Sequence, residues 1–411
     1  MPGPIEGCQI CGEASLVSAL FLGYLPPVNS MRELSARADS EPWHPAELLV
    51  CPRCHLAQLG YVVDPDILFP PEYPYTSGST QILRENFAEL HRETDSLLGL
   101  APDELVVDIG SNDGTLLSSF LADGHRVLGI EPTRTGEIAR ERGIETITAF
   151  FGTETAERVR ASHGRASLVT AANVFAHIPD VHGVVDAIAS LLTDDGVFVS
   201  ESGYLRDLAE QLQYDTIYHE HLRYYSLTSL HALLEQHGFR IFHAKRIPTH
   251  GGSIRVYATR AAGVDVDPTV AELLEEERAA GLVDESWVAS FRERVTQSKL
   301  DLYRLLWELK ADGARVYGIG APSRASTLIS YVGLDDGIVE CVLEIAGSRK
   351  IDKYMPGTAI PVLEESKLYE DQPEYALLLS WHIADELVAN LRRKGYRGRF
   401  VVPLPVPVVI E

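Results

Sequence analysis

The sequence predicts an α/β protein in three parts: a small cysteine-bearing module and two doubly wound domains. Three observations carry that prediction. Two CxxC pairs, Cys8–Cys11 and Cys51–Cys54, lie close to the N-terminus. A short apolar run at Leu105 ends in an acid and a glycine and leads into helical apolar spacing. A second run of the same kind begins at Arg315. With 411 residues the chain has room for two or three domains, expected at 1–70, 71–245 and 246–411. A formal charge of -23 argues against a nucleic-acid partner, which would select a Lys/Arg surplus. No run of 18 apolar residues and no signal peptide stand out, so the expected location is cytoplasmic, with no membrane partner.

Five cysteines is an odd number, and four of them form the N-terminal pairs, which points away from disulfides and toward a metal. Each CxxC can bend as a knuckle that aims two thiolates at one tetrahedral zinc ion. Cys8, Cys11, Cys51 and Cys54 together leave no open position, so the zinc is expected to be structural. Buried cysteines or a redox pair are the competing reading. The apolar segments Phe21–Tyr24 and Leu48–Tyr61 are expected to pack around the metal, and Cys341 to be an isolated core cysteine.

Leu105–Gly110 reads as a buried strand, Ser111–Gly114 as a turn and Leu116–Leu121 as a helix, the first unit of a Rossmann-like domain. Arg126–Glu131 is a second strand ending in a carboxylate that can hold the hydroxyls of a ribose. The glycines do not form GxGxxG. S-adenosylmethionine (SAM) has no pyrophosphate, so its loop can carry Asp108 and Asp113 where a dinucleotide loop prefers bare helix amides. Asp108, Gly110, Asn112, Asp113, Gly114, Glu131 and Pro132 are therefore candidates for SAM, with Phe151 beside the adenine. Leu168–Ala172 leads to Asn173 and Phe175, and the carboxyl end of such a strand is where an open sheet presents its ligands.

The segment Tyr218-His219-Glu220-His221 concentrates acid–base groups. If extended, Tyr218 and Glu220 share a face; if helical, Tyr218 and His221 lie together. SAM is an electrophile, so methylating carbon needs an enolate equivalent, hence a base and donors for an oxyanion. Histidine titrates near neutrality and suits the first task. His221, Tyr218, Glu220, His177, Tyr75 and Tyr73 are the candidate catalytic residues. Methylation at oxygen or nitrogen, or a non-catalytic zinc and nucleotide module, are the rival readings.

In the last part, glycines precede a helix with Arg324 in its first turn, which suits a phosphate at the helix N-terminus. Ala321, Ser323, Arg324, Glu344, Lys350, Tyr354 and Trp381 fall at successive strand ends, and His250, Gly251 and Ser253 form a further polar cluster. These are the candidate substrate-binding residues.

Taken in order, the CxxC pairs, YPYTSG, DIGSNDGT, NVFAHIPD, YHEHLRYYS, HGGSIRVY, GAPSRAST and EIAGSRKIDKYMPGT resemble the nucleotide-deoxysugar C-methyltransferases of natural-product glycoside (antibiotic) biosynthesis. The resemblance spans essentially the whole chain. It implies an N-terminal zinc module, a central SAM-binding domain and a C-terminal domain for the dTDP end of a sugar nucleotide. The implied substrate is a dTDP-keto-6-deoxysugar, methylated beside the ketone at C3 or C5, and the expected assembly is a monomer or weak homo-oligomer. Relatives often carry a lysine where Ser323-Arg324 stands here.

Overall fold

The structure is a computed structural model that describes residues 2–36, 41–69 and 77–411, apart from the side chain of Ser79. Tyr73 and Tyr75 lie outside the described residues.

Strands Val17–Leu25, His44–Val50 and Ala57–Leu59 form an antiparallel sheet in the N-terminal module. Its fourth strand, Arg223–Tyr224, comes from the middle of the chain and pairs with Gln58 and Ala57. A register shift between Phe21 and Tyr24 turns both rings outward, 51% and 63% exposed, so these two do not pack around the metal as expected.

The four thiols converge. Cys8 and Cys54 Sγ are 3.4 Å apart, as are Cys11 and Cys51 Sγ, and all four sulfurs lie within 4.8 Å of one another. Bonds of about 2.3 Å to a tetrahedral zinc require sulfurs roughly 3.8 Å apart, so the cluster fits the ion. The knuckles are built alike. Gly12 N–H donates to the Cys8 carbonyl and His55 N–H to that of Cys51, both at 3.0 Å. Gly12 and His55 each take the positive φ (73° and 58°) that this turn needs. Ile10 N–H and Arg53 N–H point at the sulfurs of Cys8 and Cys51. Cys341 is a buried core residue, as expected.

The central sheet runs Thr146–Ile147, Arg126–Ile130, Leu105–Ile109, Ala166–Ala172 and Leu192–Gly203 in parallel. Ser253–Thr259 then adds antiparallel, and Arg240–Ile247 closes the edge. The sheet thus ends at Thr259, beyond the boundary read at 245. Leu105–Ile109 is buried on both faces, as a central parallel strand must be. Helix Gln81–Leu98 packs over the antiparallel side through a buried ion cluster. Arg255, fully buried, binds Glu89, Glu93 and Glu201 at 2.6–3.0 Å.

The C-terminal sheet has Pro361–Glu364, Cys341–Glu344, Val316–Ile319, Tyr375–Leu378 and Arg399–Val402 in parallel, with short antiparallel strands at both edges. One edge strand, Lys353–Tyr354, meets the N-terminal module. Arg32 stacks over Tyr354 at 4.1 Å and donates to the Thr358 carbonyl at 2.6 Å. A Cβ on Gly357 would come within 2.7 Å of the Trp43 ring. Tyr354, expected to touch substrate, therefore serves this docking contact.

Because Arg223–Tyr224 completes the sheet of the zinc module, losing the metal should disturb more than the module. Cys54→Ser is expected to abolish the single equivalent of bound zinc and lower Tm by about 10 °C. Metal analysis and calorimetry on the same sample check this; a variant that lost zinc and kept its Tm would refute it.

Candidate active site

The turn after Leu105–Ile109 is shaped by contacts that allow little substitution. Gly110 has a φ of 69°, and a Cβ there would lie 2.7 Å from Val174 Cγ2. Its N–H and that of Ser111 donate to the Ile130 carbonyl. Glu131 is buried and grips the same turn: Oε2 accepts from Asn112 N–H at 3.0 Å, and Oε1 from Thr133 N–H at 2.8 Å. Asp108 is buried beside it and accepts from Thr170 Oγ1 at 2.6 Å. Burial pushes its carboxyl up to about 7, and the Glu131 carboxylate adds to the rise.

Two predicted cofactor side chains are turned elsewhere. Asn112 Oδ1 accepts from Ser77 N–H at 2.8 Å, and Asp113 accepts from Gly78 N–H at 3.0 Å and Thr115 Oγ1 at 2.7 Å. They pin the segment before helix Gln81–Leu98 onto the glycine turn. Gly114 begins helix Thr115–Ala122 with a φ of 75° and packs against Ile144. Phe175 is not at the cofactor surface either. It is fully buried, stacked on Tyr225 and edge-on to Phe198, because the strand end turns its ring into the core. Asn173 does stay at the strand end, with a φ of 59°. Pro132 and Phe151 are half-buried along the same rim.

The Tyr218–His221 segment is neither extended nor helical. His221 N–H donates to the Tyr218 carbonyl at 2.9 Å, closing a reverse turn. The turn brings the Tyr218 and His221 rings to 4.1 Å, and His177 meets His221 edge-on at 5.0 Å. His221 Nδ1 lies 2.8 Å from the Thr216 carbonyl. A carbonyl can only accept, so Nδ1 carries the proton and Nε2 keeps its lone pair. Burial lowers the His221 pKa to about 4 and holds that of His177 well below the usual range. Burial, then Glu220, holds the Tyr218 hydroxyl well above its ordinary value, so it is a donor. Glu220 Oε1 accepts from Asn29 Nδ2 at 2.7 Å.

In the C-terminal domain Ala321 N–H donates to Glu344 Oε1, and Lys350 Nζ donates to the Ala321 carbonyl, both at 2.6 Å. These groups gather at the start of helix Ser323–Val332, as expected. Arg324 is committed elsewhere. It forms a two-point ion pair with the fully buried Asp215 at 2.8 and 2.9 Å, and the Trp381 indole N–H donates to the same carboxylate at 2.7 Å. A guanidinium so engaged joins two domains and has little left for a phosphate. Ser253 is buried and donates to the Thr249 carbonyl at 2.9 Å. Gly251 packs on Gln213 and Gly252 on Asp207. His250 remains exposed on that turn, where a cleft of about 440 Å³ opens against His382.

Sequence reasoning missed Asp215, Asn29, Glu201 and Arg255. Asp215 sits three residues before Tyr218, but its partners lie more than a hundred residues further on, which no local pattern reveals.

A doubly wound sheet with an acid-gripped glycine turn, a His/Tyr pair at its carboxyl edge and a four-thiol cluster defines a SAM-dependent methyltransferase carrying a structural zinc. The chain is 36% identical to the C-methyltransferase NovU of Streptomyces niveus over 99% of its length and 97% of that protein. It belongs to that C-methyltransferase family. Family models match in the same order: a zinc binding domain over residues 8–69, a methyltransferase domain over 82–244 and a C-methyltransferase C-terminal domain over 248–405. A ubiquinone biosynthesis O-methyltransferase of Salmonella paratyphi A is 33% identical over 29% of this chain and 53% of its own. The SAM-bound magnesium protoporphyrin IX methyltransferase of Synechocystis overlaps with a TM-score of 0.34 at 17% identity, over 43% of this chain and 79% of its own. Among the described residues no helix is long and apolar enough to cross a membrane.

Arg324→Ala would leave the Asp215 carboxylate buried without its cation and should cost about 3–5 kcal/mol of stability. Arg324→Lys should recover only part of this, since an ammonium cannot make the two-point contact. Urea unfolding measures both; equal stability of Arg324→Ala and the parent would refute the assignment.

Proposed function

We propose that this enzyme methylates the carbon beside the ketone of a dTDP-linked keto-6-deoxysugar, with C3 favoured over C5. The observation that carries the reading is the His221 ring, whose Nδ1 proton is fixed on the Thr216 carbonyl while Nε2 keeps its lone pair, with the Tyr218 ring 4.1 Å away. His221 Nε2 takes the alpha proton, and the electrons of the C–H bond pass to the carbonyl oxygen. Tyr218 and His177 are the donors for that oxyanion. The enolate carbon then attacks the methyl group of SAM, releasing S-adenosylhomocysteine. The resemblance supports a sugar substrate, and the cationic Lys350 beside the Ala321–Ser323 turn supports binding of its nucleotide end there. Holding donor and acceptor in line supplies much of the rate.

Asp108, Glu131 and the Gly110 turn are proposed to hold SAM. A buried carboxyl raised to about 7 binds a proton at neutrality that a cationic ligand would displace. SAM binding at pH 7 is therefore expected to release a fraction of a proton, read as a dependence of calorimetric heat on buffer ionisation enthalpy. Asp108→Asn should lose both the release and most of the affinity.

A base whose pKa is depressed is protonated only below its folded value. On this reading kcat/KM for the sugar substrate, measured with SAM saturating so that Asp108 is already deprotonated, should stay level from neutrality down to about pH 5 and fall toward pH 4, with no break near 6.5. His221→Asn should reduce kcat by about 10²–10⁴-fold. The deciding experiment incubates the protein with SAM and a panel of dTDP-keto-6-deoxysugars and locates the new methyl group by NMR. Without SAM, the alpha proton should exchange with deuterium. No exchange and methylation at oxygen would overturn the reading.

A further inference from the structure

The zinc module approaches the site through one side chain that neither the resemblance nor the reaction scheme uses. Asn29 lies in the loop that leaves strand Val17–Leu25 and is partly buried. Its amide spans the other two parts of the chain. Nδ2 donates to Glu220 Oε1 at 2.7 Å, and Oδ1 faces the Ser323 hydroxyl at 3.4 Å. The polarity of the amide is set by these neighbours, because a carboxylate oxygen accepts and a hydroxyl can donate. Glu220 is buried, next in sequence to His221, and its charge acts on Lys350, which leans on the Ala321 carbonyl of the same turn. The loop itself is held at both ends. Strand Val17–Leu25 lies in the module's sheet, and Arg32 beyond it is fastened to Tyr354 and Thr358.

We infer that Asn29 is a positioning residue for methyl transfer: the zinc module takes part in the reaction by using this amide to fix the Glu220 carboxylate between the His221 turn and the Ser323 turn. The inference rests on the proposed roles of His221 and Tyr218, which flank Glu220 in the same reverse turn. It assigns the module a task beyond stability, since the metal-bound fold sets where the loop carrying Asn29 lies. Asn29 touches no reacting atom in this scheme and acts through Glu220.

The test compares Asn29→Ala, Asn29→Asp and Glu220→Gln in the full-length, zinc-loaded enzyme, with zinc content and Tm measured on each. A hydrogen bond to a charged group is worth enough that Asn29→Ala should lower kcat about tenfold or more while KM for SAM stays near the parent value. Asn29→Asp keeps the shape but sets a second carboxylate against Glu220, so it should be slower than Asn29→Ala. A packing role predicts the reverse order, because the isosteric change fills the same space, and that order would overturn the inference. Should Asn29→Ala lose its fold, the isosteric Asn29→Asp still decides: parent-like kcat refutes, a larger loss supports. Parent-like rates in both Asn29 variants with an impaired Glu220→Gln would refute this inference alone. Parent-like rates in all three would refute the inference and show Glu220 to be dispensable, while the base assignment is judged separately by His221→Asn.

Discussion

Asp215 is the constraint around which the molecule is arranged. Its carboxylate is removed from water, and that state is tolerable only because a guanidinium and an indole N–H from the C-terminal domain close on it. Because burial makes an unpaired charge so costly, the two domains cannot slide past one another without breaking this contact. The residues that follow inherit the fixed position. His219 reaches the Pro45 carbonyl of the zinc module, and Arg223–Tyr224 becomes a strand of its sheet. Between these anchors lies the Tyr218–His221 turn. A reverse turn held on both sides by other domains keeps its rings in register without a helix or strand of its own.

The two large sheets repeat one local solution. In each, an acid at the end of the second strand binds an N–H in the glycine turn after the first: Glu131 with Asn112, and Glu344 with Ala321. In each, the turn's glycine also donates to the second strand, Gly110 to Ile130 and Gly320 to Leu343. The surroundings then separate the two. The first turn faces buried acids, and the second faces Lys350. A shared backbone device is thus set in different electrostatic surroundings in the two sheets.

Much of this was legible in the sequence because it rests on short-range chemistry. CxxC spacing suffices to build a thiol pair, and a strand ending in an acid and a glycine suffices to place a turn. The Gly110 turn and the four-thiol cluster were found for that reason. What escaped were long-range partnerships among charged or aromatic groups. Arg324 looked like a phosphate ligand because a helix N-terminus is a good anion site, yet a nearby buried carboxylate competes successfully for it. Phe175 looked like a cofactor contact from its strand-end position, but the turn after the strand aims its ring inward. Asp113 lay in the right loop, and the backbone amides of Ser77 and Gly78, preceding helix Gln81–Leu98, took up its loop's polar side chains.

The seating of Trp381 and Arg324 on Asp215 has a consequence for building hybrids of such enzymes. A C-terminal domain parted from Asp215 would leave Arg324 and Trp381 without the carboxylate on which they close. A crossover placed between the two sheets would therefore be sound only where the donor was shaped for the same socket. A crossover upstream of Gln213 would keep the socket and its plug from one parent, but it would divide the central sheet, whose strands Arg240–Ile247 and Ser253–Thr259 lie downstream. The Asp215 contact thus ties the Tyr218–His221 turn and the C-terminal domain to one parent, and the pairing of Ser253–Thr259 with Leu192–Gly203 ties the central sheet to both.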